Sequence, residues 1–159
     1  MKIITPALIT MLRQHFILDW RGIHGASHWA RVRHNGLLLC ESTGANPRVV
    51  EAFAFLHDAC RHDDDCDPDH GARSAAFART LTQDLLPLSS QELELVCMAC
   101  EGHSLGGLQA EISVQVCWDA DRLDIGRVGM YPNPERLCTE AARDYQFMHE
   151  AYVRSLSGA

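Results

Sequence analysis

Three things are scarce in this 159-residue sequence: excess positive charge, long apolar runs and strand-like alternation. Lys and Arg together number 14 against 21 Asp and Glu, a formal net charge of −7. A nucleic-acid polymer is held by a basic surface that displaces phosphate counterions, so that class of partner is excluded. A small anionic substrate is not, because a few local Arg, His or metal charges override the global sign. No apolar run reaches the roughly 18 residues that span a bilayer, and no membrane partner is expected. The opening MKIITPALITML imitates a signal peptide, but Pro6 interrupts it. Arg13, Gln14 and His15 follow with no small-residue cleavage site, so a cytoplasmic location is expected. Apolar–polar alternation is confined to ISVQVCW, Ile112 to Trp118, and a lone strand has nothing to pair with.

What is present is an ordinary globular composition, 47% apolar and 22% charged, which excludes disorder for most of the chain. The length predicts a single domain over 1–159 that buries roughly 70% of its unfolded surface without staples. Seven Cys residues are an odd number in a chain this long, which favours reduced core thiols over a disulfide scaffold. Nine His residues are the more informative excess, and most of them fall between His15 and His103.

Helix signals recur along the chain. Thr5-Pro6 reads as an N-cap and first helical residue, with Leu8, Ile9, Leu12 and Phe16 on one face. Ser27 is placed to cap a second helix ending near Cys40. Asn46-Pro47 opens a third, whose Val49, Val50, Phe53, Ala54 and Leu56 make it central. RHDDDCDPD, 61–69, is an acidic loop, and a fourth helix is predicted from about Gly71 to Leu86. Ser89-x-x-Glu92 is a capping box leading the fifth helix. A sixth runs from about Glu111 to Leu123, and Asn133-Pro134 opens a last one reaching about Leu156. With about seven helices and no sheet, the fold class is all-α.

Four stretches carry chemistry. His57-Asp58 ends the apolar third helix, where imidazole and carboxylate suit a divalent cation. HGASHWARV holds His24 and His28 at i and i+4, a spacing that shares one helical face unless Gly25 leaves His24 outside the helix. DADRLD, from Asp119 to Asp124, puts three carboxylates in six residues. These are costly if buried without a cation, and unremarked if they form a solvated helix end. The acidic loop lacks the Gly and spaced Glu of a calcium loop, so its carboxylates read as solvated charge, one of which could instead orient a His or join a second metal. Cys97-x-x-Cys100 lies within a helix and has no second pair for a zinc site. Trp20, Trp29 and Trp118 read as packing.

The ordered set HGASHWARV, LHDACR, DHGARSA, EGHS and DADRLD, over about Ile23 to Asp124, resembles the HD-domain superfamily of metal-dependent phosphohydrolases. The resemblance implies an orthogonal bundle of about six to eight helices, with the last segment (134–156) packing on a metal-binding core (23–124). It implies that His28, His57, Asp58 and Asp121 ligate a divalent ion (Mn, Fe, Co, Ni, Zn or Mg), with His24 lining the pocket. His70 and His103 stand where relatives hold a second metal or contact phosphate; otherwise His70 merely starts a helix and His103 complements a helix dipole. Arg61 suits phosphate binding, and Arg31 and Arg73 are further candidates that surface ion pairs would equally explain.

The implied activity is hydrolysis of a small phosphate ester or nucleotide by a metal-activated water, with Asp58 or Asp121 orienting it. Arg61, His70 and His103 would offset phosphoryl charge or protonate the leaving oxygen. The alternatives are a di-iron oxygenase, a catalytically silent nucleotide sensor and a purely structural bundle. Substrate, native metal and oligomeric state stay open.

Overall fold

The computed structural model describes residues 2–157; the expected domain also takes in Met1, Gly158 and Ala159, which lie outside the described residues. Eight α-helices and no strands are found among the described residues. They are α1 (Pro6–His15), α2 (Ala26–Thr43), α3 (Pro47–Leu56), α4 (His70–Thr80), α5 (Ser90–Gly102), α6 (Ile112–Arg122), α7 (Glu140–Arg143) and α8 (Tyr145–Leu156). Two 3-10 turns, Ile125–Val128 and Pro134–Arg136, join α6 to α7. The all-α class is as expected, and ISVQVCW is helical, with Glu111 accepting the Ser113 N–H at the N-cap.

Capping chemistry places the starts. The Thr5 hydroxyl accepts the Leu8 N–H before Pro6, and the Asn46 side chain accepts the Arg48 N–H before Pro47. Ser89 and Glu92 form both halves of the capping box. Helix α3 is the centre: Val49, Val50, Phe53, Ala54 and Leu56 have no exposed surface, and the helix packs against α2, α5 and α6. Trp20 and Trp29 stack edge-to-face with Phe16 and each other, so they are packing residues.

Two glycines set the helix crossings that matter for the site. A Cβ on Gly36 would lie 2.3 Å from Val50 Cγ1, which lets α2 close on α3. A Cβ on Gly71 would lie 2.2 Å from the Cys100 carbonyl oxygen, so α4 reaches the backbone of α5 only because no side chain intervenes.

Three boundaries differ from expectation. Helix α2 begins at Ala26, not at a Ser27 cap, because its N-cap is Gly25, where a Cβ would sit 2.3 Å from the Trp20 carbonyl oxygen. It also runs on to Thr43, closed by Gly44 in the left-handed region at φ 75°. Helix α4 stops at Thr80 instead of Leu86: Leu81 is extended, and the chain turns so that Leu86 and Leu88 enter the core. The last segment is not one helix over 134–156. Asp119, fully buried, accepts the N–H of Cys138 (2.6 Å), the N–H of Thr139 (2.9 Å) and the Thr139 hydroxyl (2.8 Å). Those amides are therefore unavailable to a helix. The chain restarts twice, with Thr139 capping α7 and Asp144 capping α8.

Candidate metal centre

Six side chains from across the sequence converge at the heart of the bundle. His28 comes from the first turn of α2, His57 and Asp58 from the end of α3, His70 from the first residue of α4, His103 from the C-cap of α5 and Asp121 from the last turn of α6. Their atoms form two groups. In the first, His28 Nε2 and His57 Nε2 lie 3.1 Å apart. Asp58 Oδ2 stands 3.6 and 3.4 Å from these two nitrogens, and Asp121 Oδ1 stands 3.3 and 3.7 Å from them. In the second, His70 Nε2 and His103 Nε2 are 2.7 Å apart, and Asp58 Oδ1 is 3.2 and 3.7 Å from them. Asp58 spans the two groups with its two oxygens.

The opposite edge of each ring tells which nitrogen carries the proton. His28 Nδ1 meets Asp124 Oδ2 at 2.7 Å, His57 Nδ1 meets the Phe53 carbonyl at 3.2 Å, and His103 Nδ1 meets the Cys100 carbonyl at 2.7 Å. His70 Nδ1 meets the Asp67 carbonyl. Each partner can only accept, so each Nδ1 donates, and in the neutral ring each Nε2 presents a lone pair. Four such lone pairs and two carboxylates then face one another in a buried space. Asp58 Oδ1 is also a buried acceptor with no hydrogen-bond donor of good geometry.

A cation resolves this. Ligand atoms about 2.0–2.2 Å from a metal stand about 3–3.5 Å from each other, close to the spacings within the first group. The donor set therefore fits a metal: His28, His57 and Asp58 form one group that could hold an ion, and Asp58, His70 and His103 form another.

Electrostatics agree. Burial would raise the Asp58 pKa, but the imidazoles of His57, His103 and His70 around it hold it well below the usual carboxylate range. Burial opposes ionisation of Asp121 too, and His28 and His57 again carry it far below its ordinary value. At His28, burial and Arg127 act to lower the pKa, and Asp121 and Asp124 raise it above the ordinary value. The pocket thus favours ionised carboxylates and positive charge between them.

The other expected residues sort differently. Arg61, 8% exposed, holds Nη1 3.3 Å from His70 Nε2 and 3.7 Å from Asp58 Oδ1, at the edge of the second group. His24 is buried beside His28, ring centroids 6.4 Å apart, with Nδ1 2.8 Å from Asp64 Oδ1 of the acidic loop. Arg31 is turned to Asp124 (Nε to Oδ1, 2.7 Å), and Arg73 to Asp67 and the Cys60 carbonyl. Neither guanidinium reaches the His cluster through a recorded contact.

Asp124 was not singled out in the sequence, yet its carboxylate is fully buried and holds His28. Its signal was present as the third carboxylate of DADRLD, three residues after Asp121. The three divide the work: Asp119 caps, Asp121 faces the cluster and Asp124 orients a ring. Among the Cys residues no disulfide forms, and burial pushes the Cys97 thiol up to about 11 and Cys100 well above its ordinary value. These are protonated core thiols, not ligands.

No family model and no curated protein matches the chain. Among solved structures it is similar to the crystal structure of a predicted HD superfamily hydrolase from an uncultured Thermotogales bacterium. The two are 25% identical, with a TM-score of 0.71 over 92% of this chain and 84% of that one. The resemblance carried by the five motifs thus extends to the fold of nearly the whole chain.

Proposed function

We propose that this HD-like chain is a metal-dependent phosphohydrolase of the cytoplasm, acting as one domain over 1–159 on a small phosphate ester or nucleotide. The observation that carries the reading is the Asp58 carboxylate set between two pairs of facing imidazole nitrogens. In this reading the donor set would take two ions, with His28, His57, Asp58 and Asp121 to hold one and Asp58, His70 and His103 the other. Ions held there would supply Lewis acidity to lower the pKa of a water towards neutrality and polarise the phosphoryl oxygen.

The chain's own residues do the rest. Asp58 fixes the separation of the two groups, and Asp121, 16% exposed, stands on the accessible side of the first. The Arg61 guanidinium beside the second group offsets charge that builds on the phosphoryl oxygens. His70 and His103 act as ligands in this reading. His24, held at Nδ1 by Asp64, lines the pocket beside His28. Arg31 and Arg73 support the site through Asp124 and Asp67 instead of binding substrate.

The test is a metal-reconstituted screen of nucleotides and sugar phosphates with phosphate detection. His57→Ala and Asp58→Ala abolish turnover and metal together; full turnover in metal-free buffer overturns the reading. The same six-donor arrangement favours one further reading, a di-iron oxygenase. Two irons per chain with oxygen consumption and no phosphate release would establish that instead, and tight nucleotide binding without turnover would mark a sensor.

A further inference from the structure

A second charged site lies behind His28, on the Nδ1 side of its ring and away from the cluster. A cavity of about 280 Å³ opens there between the segment before α2 and the end of α8. Its wall includes Arg21, Ser27, Arg31 and Arg127, with Ile23 and Leu156. Arg31 and Arg127 have side chains only 17% and 13% exposed, so they are built into the wall.

Charge and free donors make this cavity unlike the rest of the acidic chain. Asp124 is the carboxylate that the wall arginines face: Arg31 binds it through Nε and Nη2, and Arg127 Nη1 stands 3.9 Å from it and donates to its carbonyl. Arg31 and Arg127 together outnumber the Asp124 carboxylate they face, and Arg21 adds a third guanidinium to the wall. Arg127 Nε is held by the Ile23 carbonyl, which fixes its direction. Among the described residues, nothing accepts from the Arg21 guanidinium, from Arg31 Nη1 or from Arg127 Nη2. The Ser27 hydroxyl is likewise without a partner, and the Asp19 carboxylate accepts the Arg21 backbone N–H. The 18-residue helix α2 starts here at Gly25 with no side-chain cap, leaving the Ser27 and His28 N–H groups unengaged.

We propose that this cavity binds a small phosphate-bearing molecule at a site distinct from the metal centre. Fixed guanidinium forks, a hydroxyl and uncapped helical amides are donors suited to a tetrahedral dianion. The exposed Ile23 and Leu156 at its edge would cover a short organic body attached to the phosphate. Because Arg31 and Arg127 also face Asp124, which holds His28, an occupant would touch the support of the metal centre without entering it. The inference does not depend on what the metal centre hydrolyses.

The experiment is calorimetric titration of the chelator-treated full chain with inorganic phosphate. Arg21→Glu, on an exposed side chain outside the metal machinery, weakens phosphate binding about tenfold or more, with melting temperature and metal loading unchanged. His103→Ala, which alters the metal centre, leaves phosphate affinity within about twofold of the parent. The proposal is overturned if Arg21→Glu binds phosphate as the parent does, if His103→Ala abolishes binding, or if the parent binds no phosphate at millimolar concentration. A crystal soaked with phosphate, showing the ion only among the imidazoles, would overturn it as well.

Discussion

The Nε2 atoms of His70 and His103 face each other across 2.7 Å, although 33 residues separate them in the chain. Both rings donate their other nitrogen to a backbone carbonyl, so the pair has no proton to place between them while neutral. We expect two ions per chain after reconstitution with Mn or Fe. His103→Ala should retain one, because His28, His57, Asp58 and Asp121 remain. Elemental analysis reads this directly, and two tightly held ions in the variant would contradict it.

Asp124 is expected to tune the first ion through His28. A carboxylate hydrogen-bonded to the far nitrogen of a ligating imidazole changes metal affinity by about 10- to 100-fold. Asp124→Asn should weaken metal binding within that range, and Arg31→Ala should act in the same direction less strongly. Competition against a metal-chelating dye measures both, and unchanged affinity in Asp124→Asn would show that the hydrogen bond is structural only.

Gly71→Ala should damage the fold and the second group together. The added methyl would meet a backbone carbonyl of α5, which cannot rotate away, so α4 must move. Overpacking of this kind costs about 1–3 kcal/mol. Denaturant unfolding should show that loss, accompanied by weaker binding of one ion. Gly44→Ala, in open space but at positive φ, should cost stability without touching metal loading.

The capping box supplies a pH-dependent contribution away from the site. Burial opposes ionisation of Glu92, but the Ser89 N–H, Arg48 and Asn46 together hold its pKa below the ordinary value of 4.5. A depressed folded pKa stabilises above the unfolded value and loses that effect as pH falls through the folded one. Glu92→Gln should therefore cost about 1 kcal/mol at pH 7. The gap to the parent should close as pH drops below 4.5, as followed by urea midpoints across pH.

Asp119→Ala should release the Cys138 and Thr139 donors it accepts. Leaving buried donors unpaired costs on the order of 1–3 kcal/mol. Limited proteolysis should then cut between 137 and 144, where the parent resists. An unchanged cleavage pattern would mean that α7 is held by its other contacts.

Local chemistry determined much of this protein. Thr5-Pro6, Asn46-Pro47 and Ser89-x-x-Glu92 start helices where they stand because a cap is satisfied by residues two or three positions away. The apolar run of α3 placed it at the centre for the same reason: nothing else in the chain could bury it. His57-Asp58 stood out from the residues themselves, and His28, His70, His103 and Asp121 joined it as a candidate set through the resemblance to the HD-domain superfamily.

Tertiary structure decided what each of them does. Whether Arg31 meets substrate or Asp124 depends on where α2 and α6 cross, and that crossing rests on packing such as Gly36 of α2 against Ala120 of α6. The roles of Asp119, Asp121 and Asp124 diverge because Asp119 and Asp121 leave α6 in different directions and Asp124 lies just past its end, so each meets a different neighbour. The break of the last segment at Cys138 was invisible in its own residues, since the carboxylate that captures those amides lies 19 residues upstream. Contacts between distant segments form only when the chain closes on itself, and no local propensity encodes them.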